Sequence, residues 1–294
     1  MKVLVTGRDG QIVRSLMQKA AVRTDIELIA VGRPELDLEQ PDTVRRAIAS
    51  INPDLVISAA AYTAVDKAES ESEIAYKINT IGAGAVAEAA AAFGAPIIHW
   101  STDYVFAGDT MRPYSEADTP SPCNVYGQSK LDGERMVAGA HAQHIILRTS
   151  SVYSPYGSNF VKTMLRLAET RDQISVVSDQ WVNPSSATDL AEATFKIIDV
   201  FLSNNYFSNY GLYHLVGSDK TNWSGFARKI FSESAKFGGP SPEVVDIVTS
   251  EYLTAARRPY NSTLNSEKFV SVFGWRMPAW ELSLRSVISD LLKR

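Results

Sequence analysis

Short apolar segments alternate with longer amphipathic segments through the first half of the chain. The apolar segments are Val3–Val5, Glu27–Val31, Asp54–Ser58, Pro96–Trp100 and His144–Arg148. The segments of helical length between them are Gln11–Ala20, Pro41–Ile51, Ser72–Phe93 and the region around Tyr126. Strands that are apolar on both faces and separated by helices indicate a parallel sheet that helices cover on both sides. The sequence therefore predicts an α/β fold with a doubly wound parallel sheet.

This alternation loosens after Tyr153. The later pattern predicts helices and strands at Asn159–Glu169, Ile174–Val177, Ala187–Phe201, Leu212–Val216 and Trp223–Lys236. A chain of 294 residues can form two unequal lobes. We expect a Rossmann-like dinucleotide-binding domain at 1–152 and about 184–216, and a smaller mixed α/β substrate-binding lobe at about 153–183 and 217–294.

A glycine-containing turn joins the first predicted strand to the first predicted helix. Gly7 and Gly10 permit a tight turn there, and the helix that follows at Gln11 and Ile12 offers free N–H groups to an anion. Val13 stands where a third glycine is common in dinucleotide-binding turns. The spacing predicts a pyrophosphate site, although a purely structural turn remains an alternative.

The residues after the second predicted strand bear on the choice of cofactor. An enzyme specific for NAD places an acidic residue there, which binds the ribose hydroxyls. This chain has Gly32 and Arg33, and a guanidinium suits a 2′-phosphate. The sequence thus favours NADPH, with NADH possible, while a solvated surface arginine is the alternative. Asp37 and Leu38 follow closely and could flank the adenine.

Tyr126 and Lys130 are four residues apart in a segment that favours a helix, so both lie on one helical face. A nearby positive charge favours a phenolate, and we expect Lys130 to lower the pKa of Tyr126 into a range useful for acid–base catalysis. Thr102 ends a predicted strand about two dozen residues earlier. Since tyrosine and lysine are common residues, the spacing alone also fits an ordinary helix.

Composition excludes several other classes of protein. The net charge is −4 and basic residues form no long run, so nucleic-acid binding is not expected. Cys123 is the single cysteine, which rules out an internal disulfide and a cysteine metal site. The alanine-rich segment Ala83–Ala95 contains Glu88 and is too short to span a bilayer. With no signal-peptide pattern before the first strand, these features predict a cytoplasmic protein without membrane contact.

Several segments together resemble the extended short-chain dehydrogenase/reductases, and among them the dTDP-4-dehydrorhamnose reductase family. The segments that carry the resemblance are Ala59–Glu69, Ser101–Phe106, Pro113–Glu116, Pro122–Lys130, Asn159–Ala168, Gly211–Leu215 and Arg258–Asn265. The resemblance runs nearly from end to end. It implies reduction of the 4-keto group of a dTDP-linked 6-deoxyhexose by NADPH or NADH, in the synthesis of dTDP-L-rhamnose.

The resemblance also implies roles for individual residues. Those expected at the cofactor are Gly7, Gly10, Gln11, Ile12, Gly32, Arg33, Asp37, Leu38, Ala61, Tyr62, Thr63, Tyr126 and Lys130. Tyr126 is expected to be the general acid, with Lys130 and Thr102 as its catalytic partners. Thr102 and Asp103 are expected at the sugar, and Asn159 and Arg258 at the diphosphate of the nucleotide sugar.

Three positions depart from the family pattern or bear on rival functions. Ser151 stands where other members carry a tryptophan against the sugar, and Ser15 stands where some carry a glutamate of a magnesium-linked dimer. We therefore expect no bound metal, and a monomer or homodimer. Tyr104 replaces the glutamate expected of a 4,6-dehydratase. An epimerase or dehydratase, or a cofactor-binding regulatory subunit similar to that of methionine adenosyltransferase, remain the alternatives.

Overall fold

The computed structural model describes residues 1–203 and 207–293. Within these residues, the strands are β1 (Lys2–Thr6), β2 (Glu27–Val31), β3 (Leu55–Ser58), β4 (Ile97–Thr102), β5 (His144–Thr149), β6 (Val152–Tyr153), β7 (Gln173–Val177), β8 (Trp181–Val182), β9 (Ser185–Ser186), β10 (Gly211–His214), β11 (Thr221–Asn222) and β12 (Glu243–Ile247). The α-helices are α1 (Gln11–Ala20), α2 (Pro41–Ile51), α3 (Val65–Ala68), α4 (Ser72–Tyr76), α5 (Ala83–Ala92), α6 (Val125–Ala140), α7 (Phe160–Ala168), α8 (Ala187–Ser203), α9 (Trp223–Lys236), α10 (Glu267–Phe273) and α11 (Trp280–Leu292).

The main sheet has the strand order β10-β5-β4-β3-β1-β2, and all of its neighbouring strands run parallel. Every residue of β3 and β4 is buried, as expected of strands that are covered on both faces. One face packs against α1, α8 and α10, and the other packs against α2, α5 and α6. These two layers of helices confirm the predicted doubly wound fold.

The direction of the chain reverses beside β1. After β1 the chain goes to the edge strand β2, and then returns to β3 on the other side of β1. Crossover helices therefore leave a crevice at the carboxyl ends of β1 and β3, where open α/β sheets bind ligands. The glycine turn that follows β1 lies at this crevice.

The predicted long helix at Ser72–Phe93 is wrong in detail. It is divided into α4, a π-helical turn at Lys77–Gly82 and α5. The side chain of Asn79 in this turn accepts from the backbone N–H of Tyr62 (2.9 Å) and donates to Ser129 Oγ (3.0 Å). These polar contacts with distant parts of the chain favour the wider turn over a regular α-helix, and local helix propensity does not register them.

A second hydrophobic core lies outside the main sheet. The parallel pair β7 and β12 packs with α7, α9 and α11 around Phe226, Phe231 and Leu284. The sequence predicted β7 but not β12, whose residues are half-buried or exposed and which depends on pairing with β7. α10 returns to the main sheet, where Phe269 is fully buried.

Across residues 1–203 and 207–293, each helix falls short of the length or the apolar character needed to span a membrane.

Candidate active site

The glycine turn after β1 has the geometry of an anion-binding turn. Gly7 has a φ of +97°, which favours glycine, and its N–H donates to Val31 O (2.7 Å) at the end of β2. Thr6 Oγ1 accepts from the N–H groups of Ala59 and Ala60 at 3.0 Å, which fixes the end of β3 beside the turn. Gly10 then begins α1 in an extended conformation without a side-chain cap, so the first N–H groups of the helix stay available.

Two adjoining cavities follow this turn along the carboxyl edge of the sheet. They have volumes of about 500 and about 380 Å³ and share Gly7, Asp9, Ala60 and Ala61. The predicted cofactor residues that line the larger cavity are Gly7, Gly10, Gln11, Ile12, Ala61, Thr63, Tyr126 and Lys130. Those that line the smaller cavity are Gly7, Gly32, Arg33, Asp37, Leu38 and Ala61. The fold therefore brings these predicted cofactor residues into one continuous groove.

Tyr62 has a different environment from its predicted neighbours. Although it lies in the described part of the chain, it lines neither cavity. Its hydroxyl donates to Glu71 Oε2 (2.6 Å), and its backbone is held by Asn79. Its expected contact with the cofactor stays a prediction that its side-chain position does not favour.

The side chains of Gln11 and Asn159 are hydrogen-bonded to each other. Gln11 Oε1 accepts from Asn159 Nδ2 and from Ser154 Oγ, both at 2.8 Å. Asn159 Oδ1 accepts from Lys162 N (3.2 Å) and so caps α7. Asn159 was predicted at the substrate diphosphate, but its amide here joins the glycine turn to the segment before α7.

Tyr126, Lys130 and Thr102 are brought together by α6 and β4. Asn124 Oδ1 accepts from Gly127 N (2.7 Å) and caps α6, so that Tyr126 lies in the first turn of the helix. Tyr126 lies close enough to Thr102, which is buried at the end of β4, for the threonine hydroxyl to influence the phenol. The ammonium of Lys130 donates to Trp100 O (2.6 Å) on the same strand.

The proton positions around Thr102 follow from its partners. Thr102 Oγ1 donates its proton to Asp103 Oδ1 (3.1 Å) and accepts from Tyr104 N (3.2 Å). The single proton of the Thr102 hydroxyl is therefore directed at Asp103.

The predicted effect of Lys130 on Tyr126 is wrong for this state of the protein. Desolvation raises the pKa of Tyr126 above its usual value, and the nearby hydroxyl of Thr102 only partly opposes this rise. Burial also lowers the pKa of Lys130 to about 8, an effect that nearby Glu134 counteracts. Tyr126 is thus a protonated phenol at neutral pH, which is the form that donates a proton.

Asp103 is buried next to this pair. Its carboxylate accepts from Ser150 Oγ (2.7 Å) as well as from Thr102. Burial raises its pKa to about 6, against the opposing effect of these hydrogen bonds. Its predicted contact with a sugar would need a change in this arrangement, because only 3% of the residue is exposed.

A third cavity, of about 310 Å³, lies in the second core. Its lining includes Phe160, Met164 and Trp223, together with the polar groups of Arg171, Gln180, Tyr252 and Arg258. An apolar cavity with a few polar side chains is the usual form of a small-molecule site.

Arg258 connects this third cavity to the catalytic residues. It donates to Asp66 Oδ2 (2.6 Å) on α3. Burial raises the pKa of Tyr104 and the nearby positive charge of Arg258 opposes this rise, while the Tyr104 ring meets the Tyr126 ring edge to face at 6.0 Å. Among the described residues, the buried Nε of Arg258 has no partner. Arg258 therefore keeps an unused donor between the third cavity and the residues around Tyr126.

Sequence reasoning missed several residues that line the cofactor cavities. They are Arg8, Asp9, Val13, Leu36, Ala59, Ala60, Ile78, Trp100, Ser101, Thr149, Val152, Gly157 and Ser158. Arg8 could have been predicted, because it lies inside the glycine turn and its guanidinium, like that of Arg33, suits a phosphate group. The residues after β5 could not, because only the folded chain brings Val152–Ser158 over the turn.

Within 1–203 and 207–293, no three side chains of histidine, cysteine, aspartate or glutamate are grouped as a metal site would need.

Comparisons with known proteins agree with this geometry. Residues 1–293 match the family described as RmlD substrate binding domain. The chain is 48% identical to a dTDP-4-dehydrorhamnose reductase of Sinorhizobium fredii, over 99% of this chain and 98% of that protein. It is 41% identical to the Escherichia coli protein of the same name, with the same coverage. It is also similar to the crystal structure of dTDP-4-dehydrorhamnose reductase from Bacillus anthracis in complex with NADP, with a TM-score of 0.90, 37% identity, and 98% and 99% of the two chains covered.

Proposed function

The chain belongs to the dTDP-4-dehydrorhamnose reductase family, and from that premise we propose that it reduces the 4-keto group of dTDP-4-dehydro-6-deoxy-L-mannose to form dTDP-L-rhamnose, with NADPH or NADH as reductant. The observation that carries this proposal is the meeting of Tyr126, Thr102 and Lys130 at one end of a groove suited to a dinucleotide. A proton donor beside a cofactor site is what reduction of a ketone requires.

The residues at the groove fit NADPH in their chemistry. The φ of Gly7 and the uncapped start of α1 suit the pyrophosphate, and Arg33 suits a 2′-phosphate at the far end. When bound, the nicotinamide supplies a hydride to the ketone carbon. The protein binds and orients both reactants and supplies the proton.

In this mechanism Tyr126 donates its phenolic proton to the developing alkoxide oxygen. Its raised pKa keeps it protonated before the reaction, so it serves as an acid without a preceding proton uptake. Thr102 orients the phenol and hydrogen-bonds the ketone oxygen. Lys130 in its ammonium form donates to the ribose hydroxyls next to the nicotinamide.

We further propose that the β7–β12 part of the chain binds the nucleotide half of the substrate. The third cavity offers aromatic walls for a base, and Arg258 offers a donor to the diphosphate, between that cavity and Tyr126. Asp103 and Asn159 would take part at the sugar and diphosphate after exchanging their present partners. The sheet part of the chain would bind the cofactor, in line with the predicted division into two lobes.

Replacing Arg258 with alanine tests this placement. We expect KM for the nucleotide sugar to rise about 10- to 100-fold, because a charge-assisted contact with the diphosphate contributes about 1.5–3 kcal/mol, while the Kd for NADPH stays unchanged. Asp66→Asn is the control, since it removes the ion pair but keeps the guanidinium. If Arg258→Ala and Asp66→Asn raised KM equally, the role of Arg258 would be only to join α3 to its own segment of the chain.

The Arg33→Ala change tests the choice of cofactor. We expect kcat/KM with NADPH to fall about 10-fold or more relative to NADH, because one charge-assisted contact with the 2′-phosphate is lost while Arg8 remains in the same cavity. The Arg8→Ala/Arg33→Ala variant should lose more of its kcat/KM with NADPH relative to NADH. Arg46, an exposed arginine of α2, provides the matched control. An unchanged NADPH-to-NADH ratio in the double variant would exclude both arginines as 2′-phosphate ligands.

The activity itself is tested by incubating the protein with NADPH and dTDP-4-dehydro-6-deoxy-L-mannose. We expect one NADPH to be oxidised for each dTDP-L-rhamnose formed, followed by nicotinamide absorbance and product chromatography. Sugar turnover without net oxidation would indicate an epimerase or dehydratase. Cofactor binding without any turnover would indicate a regulatory binding module.

We also propose that the protein acts in the cytoplasm as a monomer or homodimer, without nucleic-acid or membrane partners. Light scattering after gel filtration measures the oligomeric state directly. A stable assembly larger than a dimer would contradict this part of the proposal.

A further inference from the structure

A buried ion pair lies directly behind the catalytic residues. Glu134 follows Lys130 by one helical turn on α6, and its carboxylate accepts from Arg148 Nε (2.8 Å) and Nη2 (2.7 Å) on β5. The exposed fractions of the Glu134 and Arg148 side chains are 7% and 3%. The mechanism described above uses neither residue.

Glu134 also contacts the strand that carries the catalytic groups. Ser101 Oγ donates to Glu134 Oε1 (2.5 Å). Ser101 lies between Trp100, whose carbonyl accepts from Lys130, and Thr102, whose hydroxyl lies near Tyr126. Glu134 thus fixes β4 against α6 at the residue between Trp100 and Thr102.

The balance of charge around Lys130 gives Glu134 a second effect. The titratable groups around Lys130 are Tyr126 and Glu134, one turn before and after it on α6, and His99 on β4, while Arg148 on β5 is paired with Glu134. His99 is buried and its pKa lies well below the usual value, so it is neutral. Lys130 donates to a backbone carbonyl and forms no direct ion pair with Glu134, so the carboxylate that pairs with Arg148 is also the negative charge that opposes the effect of burial on the pKa of Lys130. Without that carboxylate, desolvation would favour loss of the proton from Lys130, since the guanidinium of Arg148 does not lose its own.

We propose that Glu134 is a positioning residue that keeps Lys130 in its ammonium form and in register with β4, so that Lys130 can bind the ribose of the cofactor. This inference rests on the proposed function for the role of Lys130. It adds a residue that acts through Lys130 and touches neither cofactor nor substrate. Arg148 keeps Glu134 ionised in a buried position where an unpaired carboxylate would be costly.

The pH dependence of NADPH binding reports the protonation of Lys130 without requiring turnover. Four proteins are compared from pH 6.5 to 9.5 by nicotinamide fluorescence: the wild type, Glu134→Gln, the double variant Glu134→Gln/Arg148→Met, and Asp132→Asn. Asp132 lies on the same helix, where its carboxylate pairs with Arg135. Ionisation of the cofactor's own 2′-phosphate is common to all four and cancels in the comparison.

In the wild type, affinity should fall as the pH rises through about 8, because Lys130 loses its proton there. In Glu134→Gln this fall should begin at least about one pH unit lower, which corresponds to a Kd about 10-fold higher at pH 8. The double variant lacks both charges. The pH midpoint of its loss of affinity should therefore lie between the midpoints of the wild type and of Glu134→Gln. Asp132→Asn should match the wild type.

The double variant also guards against misfolding, because removing a buried pair as a unit is usually tolerated while removing one partner is not. A midpoint in Glu134→Gln that equals the wild-type midpoint would overturn the inference. If that variant does not fold, a midpoint in the double variant above the wild-type midpoint would overturn it, because the charge of Arg148 would then act on Lys130 more strongly than the charge of Glu134. A wild type that binds NADPH but does not reduce the sugar would refute the proposed function instead, and the midpoints would still decide the role of Glu134.

Discussion

Replacing Tyr126 with phenylalanine should lower kcat by about 10²- to 10⁴-fold, the range typical of a lost general acid. The substitution removes only the hydroxyl and keeps the ring that packs beside Tyr104. Lys130 would keep its bond to the Trp100 carbonyl and its place in the cofactor cavity. We therefore expect the Kd for NADPH to change by less than about threefold, since the loss falls on the proton transfer and not on binding.

A second tyrosine separates this effect from the general cost of losing a buried hydroxyl. The hydroxyl of Tyr213 on β10 donates to Asn209 O, and its ring packs in the core on the opposite face of the sheet from α6. Tyr213→Phe should therefore cost about 1 kcal/mol of stability and leave kcat unchanged. If Tyr126→Phe reduced the sugar at a rate close to the wild type, another group would have to supply the proton, and the proposed mechanism would fail.

The main sheet could be predicted because its information is local. Parallel strands that are buried on both faces appear as unbroken apolar runs, and β1, β2 and α1 began and ended close to the predicted residues. The glycine turn follows in the same way, because the connection after β1 is short. These features depend on neighbours within a few residues, which a single sequence records.

What could not be predicted depends on contacts between distant residues. The π-helical turn exists because Asn79 reaches Tyr62 and Ser129, and β12 exists only as the partner of β7. The ion pair of Arg258 with Asp66 joins residues 192 positions apart. Such contacts carry no periodicity and appear only when the chain has folded.

The pKa of Tyr126 also could not be predicted from the sequence, because it depends on burial in the folded chain. The spacing from Lys130 correctly placed the two side chains in one cavity. It did not record how strongly the site excludes water, and desolvation of the phenol outweighs the expected influence of the ammonium. A sequence indicates which charges are near one another, but the sign of a net pKa shift also depends on burial.

Gly127→Ala should impair both stability and catalysis, although it adds only one methyl group to the catalytic helix. A Cβ at Gly127 would lie 2.1 Å from the carbonyl oxygen of Tyr104, so α6 would have to move away from the turn that follows β4. Overpacking of this kind costs about 1–3 kcal/mol of unfolding free energy. Tyr126 precedes Gly127 directly, and a displacement of about 1 Å from Thr102 would lower kcat by about 10²-fold.

The same helix offers a matched control in Gly139, where a Cβ would meet no atom within 4 Å. Gly139→Ala should raise the unfolding free energy by about 0.5–1 kcal/mol, because alanine loses less backbone entropy in a helix, and should leave kcat unchanged. Chemical denaturation and steady-state kinetics on both variants test the pair. If Gly127→Ala were as stable and as active as Gly139→Ala, close packing of α6 against Tyr104 could not be what holds Tyr126 against Thr102.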